Sequence, residues 1–111
     1  MSQQTNDQIV VFMMAPNAEE ATRIAEMLIE RKLAACVQML PPMTSIYVWK
    51  GEVERANEIM LVAKSTRAKF DELELAVRAI HSYETPEIIA LPIVAGSQPY
   101  LSWLSSCLEG S

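Results

Sequence analysis

Apolar and polar positions repeat along this chain with two different periods, and the switches between them mark its elements. Ile9-Val10-Val11-Phe12-Met13-Met14 is an unbroken apolar run with β-branched and aromatic members, which predicts a central strand covered on both faces. Residues 1–8 before it are mostly polar and predict a loose tail. Pro16-Asn17 ends the strand, and Asn17 is a good helix N-cap, with Glu20 at the capping-box position. Ala21, Ile24, Ala25, Leu28 and Ile29 follow at helical spacing, so one face of this helix is expected in the core. Arg31 and Lys32 suit the negative end of its dipole.

Leu33 to Leu40 predicts a second strand, stopped by Pro41-Pro42. Thr44 to Trp49 has strong β propensity, Lys50-Gly51 makes a turn, and Glu52 to Lys64 continues as strand. At ~3.3 Å per residue, this mostly extended stretch reaches further than a domain of this length can cover. It predicts a protruding ribbon carrying Tyr47 and Trp49, aromatic anchors of the kind that a partner covers, and hence self-association. Phe70, Leu73, Ala76, Val77 and Ile80 predict a second amphipathic helix. A polar loop follows from His81 to Glu87, in which Pro86 keeps Thr85 extended. Ile88 to Val94 predicts a strand whose Pro92 places it at an edge or an end. Tyr100, Leu101, Trp103, Leu104, Cys107 and Leu108 predict a short terminal helix. The order is βαββαβ plus a C-terminal helix, the ferredoxin-like plan: an α+β domain over residues 9–111, with one antiparallel sheet and helices on one face.

Composition narrows the function. Half of the residues are hydrophobic, enough for a core without disorder. A net charge of −5 with no basic stripe argues against nucleic acid and anionic membranes, whose binding needs cationic surface. Seven methionines suit core gap-filling or, alternatively, soft metal binding. Cys36 and Cys107 are isolated and make no disulfide framework, so reduced thiols are expected. The polar N-terminus lacks a signal-peptide pattern, and Ile9 to Ala15 is too short to span a bilayer, so the expected location is cytoplasmic.

Candidate chemistry is sparse. His81, Glu84 and Glu87 are a cluster of metal-ligand types, because imidazole and carboxylate suit divalent Zn, Cu or Ni. The alternative is a loop histidine bonded to nearby backbone, with Glu87 paired to a lysine or arginine. Tyr47, Trp49, Tyr83, Tyr100 and Trp103 are candidates for a ligand cleft or for subunit packing. Glu58, Lys64 and Glu87 flank apolar strand segments and would need pairing if buried, with Lys64 and Glu87 a candidate pair lining a pocket. A single histidine without an obvious nucleophile, and no phosphate-cradling glycine motif, predict a protein that is not an enzyme and has no organic cofactor.

Four stretches together carry a resemblance. They are Lys32-Leu33-Ala34-Ala35-Cys36-Val37, Ser45-Ile46-Tyr47-Val48-Trp49-Lys50-Gly51, Tyr83-Glu84-Thr85-Pro86-Glu87-Ile88-Ile89-Ala90-Leu91-Pro92 and Tyr100-Leu101-Ser102-Trp103-Leu104. In order and spacing the chain resembles the divalent cation tolerance protein family, CutA. The resemblance implies a ferredoxin-like subunit in a homotrimer, packed as in the PII signalling proteins, and a link to tolerance of copper and other divalent cations. In some members a cysteine at the end of the first strand and two adjacent histidines are copper ligands; the matching positions here are Met13, Ile80 and His81. Met13 offers soft Cu(I) a thioether, and Ile80 offers no ligand. The implied function is weak binding of copper or similar cations, at the surface or between subunits, through Met13, His81, Glu84 and Glu87. The alternative is a PII-like module that holds a small ligand or an unidentified protein partner in clefts between subunits, drawing on Tyr47, Trp49, Glu58, Lys64, Tyr83 and Trp103.

Overall fold

The strands stand where their apolar runs place them. A computed structural model describes residues 7–109. In chain order the elements are β1 (Gln8–Ala15), α1 (Ala18–Glu30), β2 (Cys36–Met39), β3 (Met43–Trp49), β4 (Glu52–Thr66), α2 (Arg67–Ile80), β5 (Ile88–Pro92) and α3 (Gln98–Leu108). The sheet order is β2-β4-β1-β5, every pairing is antiparallel, and β3 pairs with the far half of β4. This is the ferredoxin-like arrangement read from the sequence, with its second strand split in two at Leu40-Pro41-Pro42. Of the expected loose tail, residues 1–6 lie outside the described residues. Gln8 does not belong to a tail: it opens β1 and is buried.

Period-two alternation sorts the sheet into two faces. Ile9, Val11, Met13 and Ala15 of β1 and Ile59, Leu61 and Ala63 of β4 form the core with Ala21, Ile24 and Leu28 of α1 and Leu73, Ala76 and Val77 of α2. The two crossover helices therefore share one face, as expected. The terminal helix adds to the other: Gln8, of the opposite parity, donates from Nε2 to Ser105 Oγ of α3 at 2.9 Å. α3 buries Leu101, Leu104 and Leu108 but leaves Val10 and Phe12 half-buried, so the central strand is fully covered on one face only. Pro92 sits on the edge strand β5, where its missing N–H faces no neighbour.

Helix α1 starts and stops by local chemistry. Asn17 Oδ1 accepts the Glu20 N–H at 2.8 Å. At the other end Lys32 takes a left-handed φ of 57°. Its N–H donates to Ile29 O, and the Leu33 N–H donates to Leu28 O, the paired bonds of a Schellman ending. Leu28 and Leu33, both fully buried, supply the apolar contact that accompanies that motif.

The long strand β4 gives the molecule its shape. Its 15 residues, with β3 beside their first half, extend as a two-stranded arm, and the molecule measures 49 × 25 × 24 Å. Ile46, Val48 and Val53 on the arm are each more than half exposed.

Lys32 occupies a conformation that costs a side-chain-bearing residue about 1 kcal/mol, and glycine is free of that cost. Lys32→Gly should raise stability by about 1 kcal/mol in a denaturant titration; a loss of stability would show that the lysine side chain contributes more than its backbone costs.

Candidate functional site

The β3–β4 register places Met43 opposite Glu58, Ser45 opposite Ala56, Tyr47 opposite Glu54 and Trp49 opposite Glu52. These residues share a face, and β1 brings Met14 beside Met60 on the same parity. The α2–β5 loop closes over the root of the arm. Together they enclose a pocket of about 680 Å³, lined by Met14, Ser45, Ile46, Tyr47, Trp49, Glu58, Ser82, Tyr83, Glu84, Thr85 and Glu87. Neither lysine, arginine nor histidine lines it. Glu58 is the buried carboxyl of the wall, only 6% exposed, and accepts the Tyr83 hydroxyl at 2.8 Å. Burial, and then the hydrogen bond to the Glu58 carboxylate, push the Tyr83 phenol far above its usual range, so it stays a donor at any physiological pH.

His81 and Glu20 hold that loop. The His81 ring is fully buried, and its Nε2–H donates to Met14 O at 2.7 Å. Its Nδ1 accepts the Tyr83 N–H at 3.0 Å, which fixes the neutral tautomer with the proton on Nε2. The ring also packs against Tyr83, centroids 4.8 Å apart. Glu20 accepts the Ser82 N–H at 2.8 Å, with the same carboxylate oxygen 3.4 Å from His81 Nδ1. Burial opposes the charge on Glu20, but the bonds to Ser82, with the field of Arg23 behind them, outweigh it and hold the carboxyl below its usual range.

These placements revise the candidate ligands. Met13 is fully buried in the helix-side core, so its sulfur does not meet the loop. His81 has both ring nitrogens engaged within the chain, the backbone-bonded alternative to metal ligation. Ile80 is an exposed hydrocarbon. The copper set Met13, Ile80 and His81 thus does not fit copper here. Among the described residues, no group of three or more His, Cys, Asp or Glu could hold a metal ion. Glu84 and Glu87 both line the pocket, exposed, and Glu58 lines it buried.

Of the cleft candidates, Tyr47, Trp49, Glu58 and Tyr83 converge. Lys64 does not: its Nζ donates to Gln38 Oε1 on the neighbouring strand, so no Lys64–Glu87 pair forms. Trp103 lies on α3 against Tyr100, centroids 5.4 Å apart, away from this pocket. Cys36 and Cys107 are unpaired and half-buried. Sequence reasoning missed Glu20, assigned to a capping box. Asn17 does cap the helix, but the Glu20 carboxylate reaches a loop 62 residues away, and no local pattern signals that contact.

Comparison with known proteins agrees with this architecture. The family model for the CutA1 divalent ion tolerance protein matches residues 9–107. The chain is 47% identical over 95 residues to the divalent-cation tolerance protein CutA of Thermus thermophilus, covering 86% of this chain and 92% of that protein. It is 41% identical over 98 residues to protein CutA of Mus musculus, covering 88% of this chain but only 55% of the longer mouse protein. The crystal structure of CutA1 from Oryza sativa superposes with a TM-score of 0.91 at 40% identity, covering 98% of this chain and 100% of that one.

Glu20→Ala removes a charged acceptor from the Ser82 N–H and should cost about 2 kcal/mol of stability. Because folding lowers the Glu20 pKa, its contribution is complete above the ordinary carboxylate range and is lost as pH falls through the folded value. Melting temperatures between about pH 6 and about pH 3 should therefore fall more steeply for the wild type than for Glu20→Gln; equal slopes would remove Glu20 from the acid response.

Proposed function

The chain belongs to the CutA1 divalent ion tolerance family, and from that premise we propose that it acts in divalent-cation tolerance as a homotrimer that takes copper or similar cations weakly at the mouth of the arm-root pocket. The observation that carries this reading is the pocket wall, which presents Glu84 and Glu87 to solvent with Glu58 behind them and no basic side chain among them. Carboxylates at an open mouth attract divalent cations without caging them, which fits weak rather than tight binding. Binding rather than catalysis suits a chain whose one histidine is committed to holding a loop.

Assembly is supported by apolar surface that a single chain leaves uncovered. On the sheet face away from α1 and α2, Ile89 and Leu91 are 50% and 46% exposed beside half-buried Val10, Phe12 and Val62. The arm adds Ile46, Val48 and Val53. Surface of this kind is normally covered by a partner, and identical chains packed as in the PII signalling proteins would cover it. Two unpaired thiols suit a reducing cytoplasm; among the described residues no helix is long and apolar enough to cross a membrane. A second reading, a PII-like module holding a small ligand between subunits, is favoured by the aromatic wall that Tyr47, Trp49 and Tyr83 give the same pocket.

Light scattering should give a mass of about three times 12.4 kDa. Calorimetric titration with Cu(II) should show saturable heat that the double variant Glu84→Gln/Glu87→Gln loses and His81→Gln keeps. A monomer would overturn the assembly. Heat lost in His81→Gln but kept in the double variant would move the metal to the histidine.

A further inference from the structure

Glu58 is the buried carboxylate of a pocket that contains no cation of its own. It is 6% exposed, its hydrogen-bond partner is the Tyr83 hydroxyl, and among the described residues no ion pair neutralises it. A buried carboxylate with one neutral donor remains short of counter-charge. Sheet register aims this group into the cavity from the same face as Tyr47 and Trp49, and Tyr83 leans over it from the loop. The wall at Glu58 therefore carries the Tyr83 ring against a buried carboxylate, with Tyr47 on the same face, Trp49 further out along the arm and Met14 as apolar lining; Glu84 and Glu87 also line the pocket, exposed, and among the described residues no three acidic groups converge on a metal position.

Two kinds of cation could neutralise it, and the wall distinguishes them. A small divalent ion binds as a cage of six to eight oxygens, or keeps its waters; it would exchange hydration for aromatic faces and one carboxylate, and lose by the exchange. An alkylammonium carries diffuse charge on an apolar shell. It gains Coulomb energy from Glu58 and cation–π attraction from each ring face it meets, while its methyl groups cover apolar wall. One ammonium already uses this aromatic group: Lys50 Nζ stands 5.6 Å from the Trp49 ring centroid, although Lys50 does not line the pocket. The volume of about 680 Å³ is that of a small-molecule site.

We infer that the inner pocket formed by Tyr47, Trp49, Glu58 and Tyr83 is a receptor for an organic ammonium cation, separate from the weak divalent-cation contact at its mouth. Glu58 supplies the counter-charge, Tyr83 orients that carboxylate through its hydroxyl, and the rings of Tyr47 and Trp49 select an apolar, weakly hydrated cation over a metal ion.

The test is calorimetric titration of the assembled wild-type protein with choline in the presence of a chelator, beside 3,3-dimethylbutan-1-ol, its neutral isostere. Choline should bind saturably and the alcohol should not. Glu58→Gln, which keeps an acceptor for the Tyr83 hydroxyl, should weaken choline binding at least about tenfold. Tyr47→Leu, on the exposed arm where folding is least at risk, should weaken it about threefold or more. Equal binding of the alcohol would make the pocket merely apolar and overturn the inference. So would choline binding unchanged in Glu58→Gln, or no binding in the wild type. Because the chelator removes divalent ions and the mouth residues are untouched, failure here leaves the copper titration standing, and failure there leaves this result standing.

Discussion

Continuous pairing along β4 is the constraint on which the rest of the structure depends. Its 15 residues pair with β1 and β2 over the inner half and with β3 over the outer half. Because side chains alternate without interruption, the two parities serve two purposes. Ile59, Leu61 and Ala63 build the core beneath the helices. Glu58 and Met60, of the other parity, face away, and at the arm root this puts Glu58 in the pocket wall with Tyr47 and Trp49. A one-residue slip would exchange the two sets, so the hydrophobic core also fixes which side chains the pocket receives.

The pocket has a rigid side and a tethered side. Strands supply the first. The second is the loop after α2, whose backbone polar groups are satisfied by two buried side chains from different parts of the chain. His81 ties it to the end of β1 through Met14 O, and Glu20 ties it to the start of α1 through the Ser82 N–H. Tyr83 then connects this tether to Glu58, so any movement of the loop is felt at the buried carboxylate. Networks of this sort hold a geometry because each member loses a bond if one is displaced.

Much of this was legible in the chain. The element order followed from periodicity, because long apolar runs and amphipathic stretches are set by local sequence. Asn17 was readable as a cap because its partner is three residues away. Tyr47 and Trp49 could be paired as neighbours because strand side chains two apart share a face. The fates of His81 and Glu20 were not legible, because their partners lie 67 and 62 residues off and depend on how the loop crosses the end of β1. Met13 failed as a ligand for a reason that strand alternation contains: it shares parity with Val11 and Ala15, and that parity is the core. Lys64 had a closer acceptor across the sheet, in Gln38, than in the loop.

The open edges of the sheet are unequal. β2 offers four residues, and β5 offers five ending in a proline, both too short or too blunt to template another chain. β3 offers seven, with Ile46 and Val48 in the open. The outer half of β4, paired with β3 alone, leaves its other side open as well, so the arm has two free edges; where such an edge docks on a differently shaped surface of another copy, the contacts are head-to-tail and either close into a ring or grow without end. In a head-to-tail assembly of that kind, the direction in which the arm leaves the body decides between a finite particle and a filament. β4 runs unbroken from body to arm while the strand beside it is split at Leu40-Pro41-Pro42, so the twist of β4 carries that direction.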